Sequence, residues 1–348
     1  MKTFDYGRCA EAAWRSGTVS LVAAIHECKG RLEAFLTGEL AVLRKLSATA
    51  EVQSVESSNR IEGIVTSKAR VRGLCDEKAT PVNQNEKEIA GYREALKTIH
   101  EHFMDIPLTG NFILQLHGLL YRYAESVIGG RFKNVQNYIQ ETRADGTNII
   151  RFTPLEPFLT SQAVDALCEN YNRAIDSGAV DPLILIPIFV ADFLCIHPFN
   201  DGNGRMSRLL TTLLLQRSGF VIGKYVSLER KIEETKKTYY EALKLGSVGW
   251  MEDKADATPF IDYLLGIVLS AYRDFESRVA AVGEKLPAIE QVRQAVKRTI
   301  GRFTRSDIME LCPLIEKSSV ASSLKKLVES GEISVHGRGR GTFYSKNN

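Results

Sequence analysis

Apolar residues fill the segment from Leu183 to Ile196, broken only by Pro187 and Asp192. The run is too short and too interrupted to span a bilayer, and it predicts a buried core helix. Pro198 should end that helix, because a proline pushes the residue before it out of the α region. A second apolar segment runs from Met206 to about Gln216 and stops near Gly219, a suitable left-handed closing residue. Between them, Gly202 and Gly204 flank Asn203 and predict a tight turn, since glycine tolerates positive φ and lets backbone N–H groups approach a ligand. The pattern reads helix, loop, helix.

The rest of the chain is also mainly α. Thr49 to Ile61 reads as a polar-surfaced helix ending at Gly63, followed by a polar connection from Thr66 to Asn85. Residues 246–257 read as a surface insertion before an apolar helix that starts near Phe260. Another helical stretch, Ser270 to Val282, leads to a boundary at Gly283 to Pro287. One segment turns β-like: Tyr138 and Ile139, then Asp145-Gly146, then Ile149, Ile150 and Phe152. Asp-Gly between short β-prone runs signals a hairpin, although the intervening polar residues admit a longer loop. A lone hairpin is marginal and must lean on something.

Composition narrows the class without naming a chemistry. The 348 residues leave room for two or three domains, and 44% apolar with 25% charged content is that of an ordinary globular protein. A net charge of +3 is too small to imply a nucleic-acid or membrane partner for the whole chain. Six dispersed cysteines without a Cys-x-x-Cys suit reduced thiols, and the first residues lack a signal-peptide pattern. The expectation is a cytoplasmic protein with no membrane partner.

The chemistry concentrates in His197-Pro198-Phe199-Asn200-Asp201-Gly202-Asn203-Gly204-Arg205-Met206-Ser207-Arg208. The start of the second helix offers unpaired N–H groups and a positive dipole end, a site for phosphate. Arg205 and Arg208 are three apart, so on a helix they share a face and can reach one polyphosphate. Asp201 can bind Mg²⁺, which favours oxygen ligands. His197 can take a proton from an attacking hydroxyl near neutral pH. Neither a Walker loop nor a Rossmann fingerprint is present.

Residues 197–208 resemble the signature of the Fic family, His-x-Phe-x-Asp/Glu-Gly-Asn-Gly-Arg-x-x-Arg, at every fixed position. The resemblance implies a helical core that transfers AMP from ATP to a protein Ser, Thr or Tyr hydroxyl and releases pyrophosphate. It makes His197 the general base and Asp201 the Mg²⁺ ligand. Gly202, Asn203 and Gly204 would form the anion cradle beside Asn200, Arg205 and Arg208 would bind the outer phosphates, and Phe199 would pack behind the loop. Tyr239, in Lys237-Thr238-Tyr239-Tyr240, resembles a pocket tyrosine of the family's post-core helix. The hairpin at about 138–152 resembles the flap that docks an extended target segment.

Ser58-Asn59-Arg60-Ile61-Glu62-Gly63 resembles the family's inhibitory motif, Ser/Thr-x-x-x-Glu-Gly/Asn. The resemblance implies that Glu62 pairs with Arg208 and lowers basal activity, or that it orients a water for removal of AMP. Read on its own, Glu62 breaks a local rule, because a carboxylate in the last turn faces the negative end of the helix dipole.

Residues 286–348 hold eleven Lys/Arg against six Asp/Glu. Thr304 or Ser306 is available to cap one short helix, and Lys317 to Ser330 predicts a second that ends at Gly331. Ile333-Ser334-Val335, the basic Arg338-Gly339-Arg340-Gly341 and Thr342-Phe343-Tyr344 follow, and the whole resembles a winged helix. DNA contact there would use Lys325, Lys326 and the wing arginines. The expected domains are an N-terminal helical region (1–105), a Fic core with following helices (106–282) and the winged-helix-like unit (283–348). A DNA-binding regulator with a nucleotide-sensing core, other nucleotide transfer, self-modification and a homodimer stay open as alternatives.

Overall fold

A computed structural model describes residues 2–36, 40–124, 128–142, 146–283, 286–299 and 301–347. Helices α1 (Ser16–Leu36), α2 (Leu40–Ile61), α3 (Lys68–Cys75), α4 (Gln84–His102) and α5 (Gly110–Leu120) come first. A hairpin of β1 (Ile139–Thr142) and β2 (Asn148–Phe152) follows. Then come α6 (Pro157–Ser177), α7 (Pro182–Ile196), α8 (Asn203–Arg217), α9 (Leu228–Glu234), α10 (Lys236–Gly246) and α11 (Thr258–Gly283). The C-terminal unit holds α12 (Ala288–Arg298), α13 (Arg305–Leu311), α14 (Lys317–Glu329), β3 (Ile333–His336) and β4 (Phe343–Lys346).

The apolar run at 183–196 is α7, and it is buried on nearly every side because α6, α8 and α11 all pack on it. Asp181 caps its start through Leu183 N at 2.8 Å, with Pro182 in the first turn. Its end departs from expectation. His197 does not become extended before Pro198 but adopts a left-handed conformation, φ 51 and ψ 61. A left-handed residue also satisfies the pre-proline exclusion of the α region, and its N–H still bonds to Phe193 O.

α8 begins at Asn203, three residues earlier than the apolar pattern suggests, so the expected turn shortens. Only Gly202 takes positive φ, at 84°, whereas Gly204 lies within the first helical turn. The far end closes on Gly219, where Gly219 N bonds to Gln216 O and Phe220 N to Leu215 O.

Other boundaries also move. α2 starts at Leu40 rather than near Thr49, and it ends in the same way, with Gly63 at φ 80. The supposed polar connection after it contains α3, capped by Ser67, which buries only Val71 and Leu74 and so leaves a faint apolar signal. The stretches near Phe260 and Ser270 form one helix, α11. Residues 246–257 are not a mere surface insertion, because Trp250 is buried and donates to the buried Asp192 at 2.6 Å. Tyr6 OH donates to the same carboxylate at 2.9 Å.

β1 and β2 pair antiparallel, with Gln140 opposite Ile150 and an irregularity between Ile139 and Gln140. Asp145, expected in the turn, lies outside the described residues, and Gly146 has φ 83. The hairpin leans on the body through Phe152, whose ring meets Trp250 edge-on at 6.2 Å.

In the C-terminal unit, Thr304 rather than Ser306 caps α13, in a reciprocal pair with Asp307. α12, α13 and α14 enclose a separate small core around Val292, Phe303, Ile308, Leu324 and Ile333. β3 and β4 form an antiparallel hairpin, and Phe303 bridges to Tyr344 beside it. Among the described residues no helix is long and apolar enough to cross a membrane.

Candidate active site

His197 stands at the junction of α7 and the loop, on the wall of a cleft of about 590 Å³. Its Nδ1 lies 3.2 Å from Leu194 O, so that nitrogen carries the proton and Nε2 keeps a lone pair. Burial pushes the imidazolium pKa down to about 4, against the opposing effect of the Leu194 carbonyl, so the ring is neutral near pH 7.

The loop is tied by its own side chains. Asn203 accepts from Phe199 N at 2.9 Å and donates to Phe199 O at 2.7 Å. Its side chain therefore braces the turn instead of facing the cleft. Gly202 supplies no capping side chain, so the first N–H groups of α8 stay available to a ligand. Phe199 is fully buried, stacked on His117 at 3.7 Å with the planes 2° apart. Asn200 points outward and bonds to Asn134 at 3.0 Å.

Asp201 and Arg205 reach side chains of α4 and of the residue that ends α5. Asp201 Oδ2 accepts from Tyr121 OH at 2.7 Å, and its side chain is 63% exposed. Arg205 is 1% exposed, donating to Glu88 at 2.7 Å and to Tyr121 OH at 2.8 Å. The two signature arginines thus diverge. Although three residues apart, Arg205 reaches Glu88 while Arg208 reaches α2, because each finds a buried acceptor on a different neighbouring helix.

Arg208 is buried and donates to Ser58 Oγ at 2.8 Å, Ser58 O at 2.9 Å and Glu62 Oε1 at 2.7 Å. Burial alone would weaken its charge, yet Glu62 and the nearby Tyr239 and Tyr92 hold its pKa above the ordinary value. Glu62 also explains Gly204. A Cβ at position 204 would lie 2.2 Å from Glu62 Oε1, so the glycine is a close-approach residue. The carboxylate disfavoured at the end of α2 rests over the positive end of α8.

Ile139, Gln140, Arg151 and Phe152 of the hairpin form one wall of the cleft, and Tyr239, Tyr240 and Lys244 form another. Tyr239 is buried, with its ring 5.7 Å from that of Tyr263. Among the described residues no group of three or more His, Cys, Asp or Glu is arranged to hold a metal.

Residues 107–215 match the Fic/DOC family. The chain carries a Fic/DOC domain. It is 26% identical over 306 residues to protein adenylyltransferase Fic of Drosophila sechellia, covering 82% of this chain and 55% of that one. It is 25% identical over 273 residues to protein adenylyltransferase fic-1 of Caenorhabditis elegans, covering 75% of this chain and 49% of that one. The chain spans about half the length of these curated relatives. The structure of a Fic family protein from Desulfovibrio desulfuricans G20 shares the fold, with TM-score 0.61 and 22% identity over 97% of both chains.

Several residues that shape this Fic site carry no sequence signal. Lys133, almost fully buried, donates to Ile196 O at 3.1 Å and to Asn137 Oδ1 at 2.9 Å. Asn137 donates to His197 O at 3.2 Å and Phe199 O at 2.9 Å. His117 receives Gly130 N at 3.0 Å and reaches Asp201 O at 3.1 Å, and burial lowers its pKa to about 4. Glu88 and Tyr121 complete the set. Their distance along the chain from the signature hides them, and only the buried polar pairing exposes their part.

Proposed function

We propose that the protein transfers AMP from ATP to a hydroxyl of a target protein, releasing pyrophosphate, and that Glu62 holds it in an inhibited state. The observation that carries this reading is the neutral His197, with its lone pair on Nε2, in a cleft walled by the hairpin and by the N-terminus of α8. The names of the curated relatives support the same chemistry.

The target hydroxyl attacks the α-phosphorus of ATP and gives its proton to His197 Nε2. The bond from the α-phosphorus to the bridging oxygen breaks, pyrophosphate leaves, and the imidazolium returns its proton to solvent. The amides at the start of α8 stabilise negative charge on the phosphates. Asp201 fits a Mg²⁺ ion, because it is exposed and Tyr121 engages only Oδ2. Magnesium held there supplies charge neutralisation to the polyphosphate. Arg208 meets the outer phosphates once Glu62 withdraws, and Arg205 keeps Tyr121 and Asp201 in place. The hairpin at 138–152 presents the target segment by strand pairing.

Incubation with α-labelled ATP tests the reading in wild type, Glu62→Gly and His197→Ala. Label should appear on protein with Glu62→Gly, weakly with wild type, and not with His197→Ala. Equal labelling by His197→Ala removes the proposed base. Release of AMP from modified protein by wild type, lost in Glu62→Gly, redirects the reading to AMP removal.

A further inference from the structure

We infer that Lys133 and Asn137 are positioning residues that hold His197 in its left-handed conformation and register it against the flap. The inference rests on His197 being the base proposed above.

A left-handed backbone is unfavourable for a residue with a side chain and persists only where its surroundings over-determine it. Around His197 they do. Lys133 Nζ holds Ile196 O at 3.1 Å, Asn137 Nδ2 holds His197 O at 3.2 Å and Phe199 O at 2.9 Å, and Lys133 N holds Pro198 O at 2.8 Å. The carbonyls from 196 to 199 are thus all bound by one short segment.

The two side chains work as a unit. Asn137 Oδ1 accepts from Lys133 Nζ at 2.9 Å, which fixes the amide so that Nδ2 faces the loop. Lys133 is buried without an acidic partner among the described residues, and that burial lowers its pKa to about 8. A chain that buries a lysine against neutral carbonyls meets a desolvation penalty that a packed Met or Leu would avoid. The geometry supplies the return: donors aimed at the backbone of the base. Asn137 also lies two residues before Ile139, the first residue of β1. One tether therefore fixes both the base and the root of the element that presents the hydroxyl.

Asn137→Asp tests this with little change in shape. It keeps an acceptor for Lys133 but places oxygen against the carbonyls of His197 and Phe199. The parent is Glu62→Gly, so that AMP transfer is measurable. Asn137→Asp and Lys133→Met should each lower kcat by about tenfold or more, with KM for ATP within about twofold, and Lys133→Arg should recover part of the loss. An unchanged kcat overturns the inference. So does a loss that vanishes when the assay is cooled below the variant's melting transition, since that is stability alone. If the parent transfers no AMP, the proposed function fails first. The clamp is then judged by NMR titration of the His197 ring proton: a shift in Asn137→Asp toward an ordinary imidazole supports it, and an unmoved titration overturns it.

Discussion

The Glu62 carboxylate lies 2.7 Å from the Arg208 guanidinium, over the first turn of α8, where a Cβ on Gly204 would stand 2.2 Å from the same oxygen. Three features meet in that contact. The buried arginine has Ser58 and Glu62 as acceptors, the helix start offers amides, and the glycine leaves room for one anionic oxygen. Each is also what a phosphate would seek. Glu62 thus sits where an anion would be drawn, and Nη1 of the buried Arg208 is left without an acceptor among the described residues.

Glu62→Gly should therefore raise AMP transfer. A hydrogen bond to a charged group contributes about 1.5–3 kcal/mol, which corresponds to roughly 10- to 100-fold if its loss is expressed in the rate. Labelled transfer under saturating ATP measures this. A rate equal to wild type would mean that the pair is structural.

Gly204→Ala gives a sharper test of the shared place. The backbone there is helical, so alanine brings no φ strain, and its effect comes from the methyl group. In wild type it should push Glu62 off Arg208. In the Glu62→Gly background it should instead weaken ATP binding, by about tenfold, because the methyl stands where a phosphate oxygen is expected. Calorimetric titration with a non-hydrolysable ATP analogue separates the two effects. Unaltered affinity in the double variant would place the phosphates elsewhere.

Burial sets a pH dependence whose sign is fixed. His100, His117 and His197 are each pushed down to about 4, chiefly by desolvation, against an ordinary imidazole value of about 6.5. Between those values the unfolded chain binds more protons than the folded one. The stability these residues contribute is present above about pH 6.5 and is lost as pH falls toward 4. The melting temperature should drop between about pH 7 and pH 5, whereas the transfer rate should show no limb near 6.5 from His197. A flat melting profile contradicts the burial of these rings in the neutral form.

The helix pair around the loop is legible because α7 is apolar nearly throughout and because glycine marks the end of α8 at Gly219. The end of α2 at Gly63 is legible for the same reason. Long-range polar pairing is not. Arg205 and Glu88 are 117 residues apart, Asn137 and His197 are 60 apart, and neither pair leaves a periodic trace. Gly204 misleads in an instructive way. Glycine in a loop suggests a turn, but here it admits the carboxylate of a distant helix. Trp250 is hidden similarly, since a lone tryptophan in a polar stretch reads as surface until Asp192 is found beneath it.

The C-terminal unit should make a salt-dependent contact with nucleic-acid phosphates. Its acidic residues are already matched. Arg293 pairs with Glu290 and Glu332, Lys325 with Glu329, Lys68 with Asp307 and Glu310, and Lys45 with Glu316. Arg302, Arg305, Lys317, Lys326 and Arg338 have no acidic partner among the described residues, while the Arg340 side chain lies outside them. Lys325 is engaged on its own helix, so Lys326 and Arg338 are better probes than the adjacent lysine. Duplex DNA should bind at low salt and weaken steeply as salt rises, because each phosphate contact releases counterions. Lys326→Ala and Arg338→Ala should each reduce the logarithmic salt slope by about 1 and weaken all sequences alike. Binding that is insensitive to salt, or absent at about 50 mM, would leave these cations to a protein partner instead.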